Sequence, residues 1–266
     1  MTIFRPKGFT LVELLVAISV LAILVVIMTR IIGMVSDTWR AGRARADKFS
    51  QARMVFGMLD RDVQSMVLRR DLAAFRDKSG SNACAFYTQR PGGEGDRRFS
   101  LVEYRLDNPT TRPSLVRADY GMDYATLSPT RVPSLGNTNA LPDLEHAEAR
   151  SLSDGIVGFA WQFVDGSGIP RDNFQFDHAD PSATANTRAI TVSITVLDDE
   201  ACKLAERNGL LPSLTGLLGG KPAAGETYAD YWKALIGSPG FGSSLPLPVR
   251  QSLRVFERSV QIPLPP

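Results

Sequence analysis

Lys7-Gly8-Phe9-Thr10-Leu11-Val12-Glu13-Leu14-Leu15 opens an unusual stretch. From Phe9 to Met28 the chain reads FTLVELLVAISVLAILVVIM, with Glu13 as its single charge. At about 1.5 Å per residue this run spans roughly 30 Å as a helix, the hydrocarbon thickness of a bilayer. The residues before it, MTIFRPKG, carry two charges, Arg5 and Lys7. A secretory signal peptide has a shorter apolar stretch followed by a small-residue cleavage site. Here the apolar run is longer, and Thr29, Arg30, Ile31 and Ile32 continue a helical pattern. A carboxylate near the start of a membrane span is costly and calls for a reason. Glu13 either snorkels to the headgroups or meets a cation. If the chain is cut before Phe9, the new α-amino group supplies that cation at the depth of a neighbour's Glu13. Pairing offsets both desolvation costs and sets the register between subunits.

These residues closely resemble the signature of type IV prepilins and type II secretion pseudopilins: a basic leader, Gly8-Phe9, Thr10, Glu13 and a long apolar run in fixed order. The resemblance implies cleavage by a prepilin peptidase after Gly8, N-methylation of Phe9, and a role for Glu13 in assembly. It also implies partners: other pilin or pseudopilin subunits, the peptidase, and an inner-membrane assembly platform. The strong resemblance covers about the first thirty residues.

The helix is predicted to continue past the span. Phe49, Ala52, Phe56, Leu59, Val63 and Met66 alternate spacings of three and four, which makes one apolar stripe. Asp47, Lys48, Arg53, Asp60, Arg61 and Asp62 fall between them. No proline interrupts the chain from Lys7 to Arg90, and Gly33, Gly42 and Gly57 weaken the helix only locally. The expected helix runs from Phe9 to about Leu68. Four segments follow: a leader at 1–8, a transmembrane and assembly helix at 9–32, a helix continuation at 33–70 that packs on the soluble domain, and a β-rich soluble domain at 71–266. Arg30, Arg40, Arg43, Arg45, Lys48 and Arg53 follow the span. Taken alone, the positive-inside rule would hold that domain in the cytoplasm. The leader chemistry needs a cytoplasmic N-terminus, so the expected topology is a single-pass inner-membrane protein with an extracytoplasmic, periplasmic C-terminal domain. Basic residues near lipid headgroups or between subunits would reconcile the two.

The remainder reads as short strands. Cys84–Thr88 and Phe99–Leu106 flank a turn at Pro91–Gly93, and Ser114–Arg117 is a brief third candidate. Val157, Phe159, Trp161 and Phe163 alternate with small or polar residues, as do Ile190, Val192, Ile194 and Val196. Each of these two strands is expected to bury one face. Phe256, Val260 and Ile262 give a last strand. Asp198 or Asp199 is placed to cap a helix through Arg207, and Thr227–Ile236 to form another. The stretches 128–143 and 237–248 read as loops. The fold class is α+β: a long N-terminal helix packed on an antiparallel β-sheet with irregular loops. That layout resembles pilins, in particular J-type minor pseudopilins, with Met58-Leu59-Asp60-Arg61-Asp62-Val63-Gln64 similar to the helix end of that group. It also resembles the prepilin-like proteins of Verru_Chthon cassettes.

Little in the 266 residues points to chemistry. Basic and acidic residues number 30 and 28, so the chain as a whole is no polyanion binder, and no nucleic-acid partner is expected. Gly216, Gly219 and Gly220 lack the Gly-Lys-Ser/Thr ending of a phosphate loop. Gly166-Ser167-Gly168 reads as a turn. His146 and His178 are the only histidines, and Cys84 and Cys202 the only cysteines, free to form one disulfide or two buried thiols. Asp172, Asp177 and Asp180, with His178, offer a weak oxygen-rich candidate for calcium, but their spacing is not that of an EF-hand and a solvated acidic loop fits better. Tyr228, Tyr231 and Trp232 suit either core packing or partner docking. No cofactor and no enzymatic activity are expected. The favoured function is a structural minor pilin or pseudopilin subunit of a type II secretion or type IV pilus-like filament. The alternative is a membrane-anchored extracytoplasmic binding module that uses the leader only for export. A third is an unprocessed protein with a cytoplasmic domain.

Overall fold

A computed structural model describes residues 10–68, 76–77, 83–90, 99–107, 112–122, 148–177 and 179–263. The expected turn at Pro91–Gly93, the loop at 128–143 and both histidines lie outside these residues. The chain divides into two compact units, Met1–Asp47 and Lys48–Pro266. The boundary falls inside helix α1, Leu11–Gln64.

In the first unit α1 is apolar on every side between Glu13 and Arg30. Its most hydrophobic window has a mean hydropathy of 3.0 and no buried residue. Leu15, Ile18, Leu21, Leu24 and Met28 are all at least half exposed. A helix apolar all round needs hydrocarbon or other helices about it. The hydroxyls within it are satisfied internally: Ser19 donates to the Leu15 carbonyl and Thr29 to the Val25 carbonyl, both at 2.8 Å. That satisfies the demand hydrocarbon makes on polar groups.

The second unit holds two antiparallel sheets where one was expected. Strands β1 (Arg76–Asp77), β2 (Ala83–Thr88), β3 (Phe99–Leu106), β4 (Ser114–Met122) and β5 (Glu148–Asp154) form a meander in chain order. The second sheet has β6 (Ile156–Asp165), β7 (Pro170–Arg171), β8 (Thr187–Val196) and β9 (Arg254–Gln261) in the order β7-β6-β8-β9. Between β8 and β9 lie four helices: α2 (Asp199–Arg207), α3 (Leu211–Leu218), α4 (Tyr228–Gly237) and α5 (Leu247–Ser252). Of the two cap candidates Asp198 is the one used, accepting from the Ala201 amide at 2.7 Å, and Thr227, expected inside its helix, caps it instead by accepting from the Asp230 amide at 3.2 Å.

The C-terminal turns of α1 join both sheets in one core. Ala52, Val55, Leu59, Val63 and Met66 pack with Phe86, Val102 and Leu115 of the first sheet and Phe159, Ile190 and Ile194 of the second. The predicted stripe is rotated by part of a turn. Phe49 stays 65% exposed, whereas Val55 and Asp62, absent from the stripe, are fully buried. The ridge that packs is Lys48, Ala52, Val55, Leu59, Asp62 and Met66, again at spacings of three and four. The helix ends without glycine or proline. Its last amides tighten onto Asp62 and Val63, and Val67 then donates to the Tyr87 carbonyl at 2.9 Å, which hands the chain to β2.

The expectation of one buried face for β6 and β8 is overturned. Thr191, Ser193 and Thr195 of β8 are buried like their apolar neighbours. The cause is a second core, in which Val157, Leu214, Leu218, Trp232, Phe241 and Val249 lie together. The helices between β8 and β9 cover the face that alternation left polar. Thr191 and Ser259 meet across strands there at 2.7 Å, whereas Thr195 Oγ1 is buried without a hydrogen-bond partner among the described residues. Gly158 on β6 permits the close approach, since a Cβ there would stand 3.2 Å from Thr195 and 3.4 Å from Leu218 Cδ1.

Candidate functional site

Gly8 and Phe9 lie outside the described residues. The chain is described from Thr10, and there the sequence folds into a capping box. The Thr10 amide donates to Glu13 Oε2 at 2.9 Å, and the Thr10 hydroxyl donates to the same oxygen at 3.0 Å. In return the Glu13 amide donates to Thr10 Oγ1 at 3.3 Å. The carboxylate is therefore turned back over the first turn, toward the start of the helix. Thr10 and Glu13 act as one unit at three-residue spacing. That spacing was legible in the sequence, although the resemblance implied a role for Glu13 and none for Thr10.

Two buried charges on the packed ridge of α1 were missed. Both lay among residues read as the polar side of the helix. Asp62 is fully buried and accepts from the Tyr104 hydroxyl at 2.6 Å and from Arg117 Nε at 2.7 Å. Arg90 adds a longer contact at 3.4 Å, and Arg117 also pairs with Asp119. Burial pushes the Tyr104 hydroxyl well up from its ordinary value, and the charge of Asp62 adds to this. Burial works against the charge on Arg117, but its bonds to Asp62 and Asp119 outweigh that and hold it protonated. Lys48, 4% exposed, donates to the Ser252 carbonyl at 2.5 Å and approaches Asp198 at 3.4 Å. No sequence motif marks either group. An acid and a base at ridge spacing, Lys48 in register with Ala52 and Asp62 with Leu59, was the available signal.

The weak calcium candidates are occupied by the backbone of their own loop. Asp177 accepts from the Ala179 amide at 2.8 Å, and Asp180 from the Ser182 amide at 3.0 Å and hydroxyl at 2.6 Å. The Ser182 hydroxyl is the main cause that lowers the Asp180 carboxyl below its usual range. Asp172 does not join them: among the described residues no three His, Cys, Asp or Glu are grouped to hold a metal. Cys84 and Cys202 form no disulfide and are buried in different cores. Trp232 is 2% exposed and donates to the Leu218 carbonyl at 2.9 Å, with Tyr228 and Tyr231 packed beside it, so this trio is core. Gly166-Ser167-Gly168 is the turn between β6 and β7, held by Asp165, which accepts from the Ser167 and Ile169 amides at 2.8 and 3.1 Å.

Compared with known proteins, residues 3–29 match the family described as "Prokaryotic N-terminal methylation motif". The match covers Gly8, Phe9, Thr10, Glu13 and the apolar run. Among solved structures the chain is similar to a type IV-like pilin from Thermus thermophilus, with 12% sequence identity and a TM-score of 0.39, over 80% of this chain and 95% of that one.

Proposed function

We propose that this protein is a pilin-like structural subunit, anchored by the first half of α1 and assembled with related subunits into a type II secretion or type IV pilus-like filament. The observation that carries the reading is the methylation motif at residues 3–29, running without a break into a helix of membrane-spanning length and hydropathy. In this reading a prepilin peptidase removes residues 1–8 and Phe9 becomes the methylated N-terminus. The domain from Lys48 onward lies outside the inner membrane, and an assembly platform draws the helix from lipid into a bundle. Other helices then replace lipid around the exposed apolar surface of Leu15, Leu21 and Met28. The capping box supports a specific role for Glu13. Its carboxylate already faces the end of the helix where cleavage creates an amine, so an incoming subunit meets an acceptor that needs only to exchange partners. The role is structural, with no cofactor and no catalysis. Membrane-extracted protein measured by intact mass tests the reading directly. A chain shortened by eight residues and heavier by one methyl group is expected. A full-length chain would overturn it.

A further inference from the structure

Beyond the span, α1 carries a feature that the motif at residues 3–29 does not cover. We infer that the segment around Trp39 is a headgroup-binding collar, which seats Trp39 in the membrane interface and holds anionic phospholipid through Arg40 and Arg43. The inference rests on the reading of α1 as a membrane anchor.

The first observation is position. After Glu13 the next charge is Arg30, and the transmembrane segment 9–32 ends at Ile32, long enough to cross the hydrocarbon. Trp39 is then about 10 Å further along the helix. Helical side chains lean toward the N-terminus and cover the turn before their own Cα. That lean returns the indole to headgroup depth, where tryptophan is enriched because one end of the ring is apolar and the other is a donor.

The second observation is the face. Met28, Ile32, Val35, Trp39 and Arg43 follow one another at spacings of four, three, four and four, so they share one side of the helix. The apolar surface of the span thus runs straight into Trp39 and then into a guanidinium. Trp39 is 75% exposed and Val35 49%. Beside them Gly42 and Ala46 leave an open trough of about 480 Å³, lined also by Thr38, Trp39 and Arg43. A Cβ on Gly42 would meet nothing within 4 Å.

The third observation is charge. Arg40 and Arg43 are exposed; Asp37 lies across the helix from Trp39 but three residues before Arg40, and Asp47 follows one turn beyond Arg43, so residues 37–47 keep an excess of one basic side chain. An anionic headgroup complements this pair, and basic side chains near a membrane surface each favour it. The pair sits where the helix leaves the hydrocarbon, so a lipid headgroup is its occupant before any subunit docks. The collar also accounts for the basic flank that conflicts with the positive-inside rule. These arginines are held by headgroups on the leaflet where the helix emerges.

The full chain reconstituted into nanodiscs of phosphatidylcholine, with or without phosphatidylglycerol, tests this. Trp39 fluorescence is isolated as the difference between the wild type and Trp39→Phe, and is probed with lipids spin-labelled at the headgroup or deep in the acyl chain. Native mass spectrometry counts the phospholipid retained. Headgroup labels are expected to quench Trp39 most. The protein is expected to retain phosphatidylglycerol over phosphatidylcholine by about tenfold, and Arg40→Gln with Arg43→Gln to lose that preference. Equal retention of the two lipids, or a Trp39 reached only by aqueous quenchers, overturns the inference while leaving the anchor intact. Protection of Trp39 from lipid and water alike at high protein density would mark a helix–helix contact and also overturns it. Release of the protein from the membrane by alkaline carbonate would defeat the anchor reading and the collar with it.

Discussion

The Tyr104 hydroxyl donates to the Asp62 carboxylate at 2.6 Å, and through that bond the last turn of α1 is tied to β3, 42 positions away in sequence. Arg117 on β4 completes the site at 2.7 Å. Removing one partner of a buried ion pair leaves an uncompensated charge, which typically costs about 3–5 kcal/mol. Asp62→Ala is therefore expected to destabilise the second unit strongly, by roughly that amount. Tyr104→Phe keeps the packing and loses one hydrogen bond, so a cost of about 1–3 kcal/mol is expected. Urea unfolding of the detergent-solubilised chain, followed by near-ultraviolet circular dichroism, measures both. A neutral Asp62→Ala would show that the ridge holds by apolar contact alone.

The other end of the same ridge gives a coupled prediction. Lys48 approaches Asp198 at 3.4 Å, and Asp198 also caps α2 through the Ala201 amide. Asp198→Ala removes the cap, worth about 1 kcal/mol, and strips Lys48 of its carboxylate. A Lys48→Met, Asp198→Ala cycle should show a coupling of about 0.5–3 kcal/mol. Additive costs would mean that the Ser252 carbonyl alone satisfies the ammonium.

These two charges mark where sequence reading reached its end. The span, the stripe and most strands were legible because each repeats a period, and Asp198 announced its helix as a cap. Helix α3 was not foreseen, since its glycines and leucines were weighed only as a phosphate loop. Helix α5 and the length of β4 were missed as well. The burial of Thr191, Ser193 and Thr195 could not be read from alternation, which reports polarity and not what packs above it. Asp62 and Lys48 were hidden for the same reason. A charge on a ridge looks solvated until its partners arrive from β3, β4 and α5, and those partners are distant in the chain.

Acid should loosen the β6–β7 turn. Arg171 donates to Asp165 Oδ2 at 2.6 Å, and this bond, with the Ile169 and Ser167 amides, holds the Asp165 carboxyl below its usual range. The unfolded chain then binds the proton more readily than the folded one. The contribution is present above the unfolded value, near about 3.9, and is lost as pH falls through the lower folded value. Thermal midpoints measured from about pH 6 down to about pH 3 should fall less steeply for Asp165→Asn than for wild type. Parallel curves would assign the acid sensitivity to other carboxylates.

Gly158 tests how tightly the helical layer sits on the second sheet. A Cβ there already presses on Thr195 at 3.2 Å, so the branched side chain of Gly158→Val has no room. Overpacking of this kind costs about 1–3 kcal/mol. The effect should be seen as earlier urea unfolding, with Trp232, which is held by the Leu218 carbonyl, reporting the shift through its fluorescence. Unchanged stability would mean that α3 can lift away freely.

Under the proposed function, Glu13 should separate processing from assembly. Its carboxylate closes the capping box with Thr10, yet a helix as long as α1 does not depend on one cap. Glu13→Ala is therefore expected to leave the helix, its membrane insertion and cleavage after Gly8 in place. What it removes is the acceptor facing the new N-terminus, so incorporation into filaments should drop sharply while processed monomer accumulates in the membrane. Glu13→Gln keeps an acceptor for Thr10 but no charge to offset an amine, and should resemble Glu13→Ala if pairing is ionic. Thr10→Val is the control, since it breaks the box and keeps the carboxylate, and it should assemble. Replacing Gly8 with a bulky residue should block cleavage itself. Immunoblots of membrane and sheared-filament fractions distinguish these outcomes, and normal incorporation of Glu13→Ala would rule out amine pairing as the source of register.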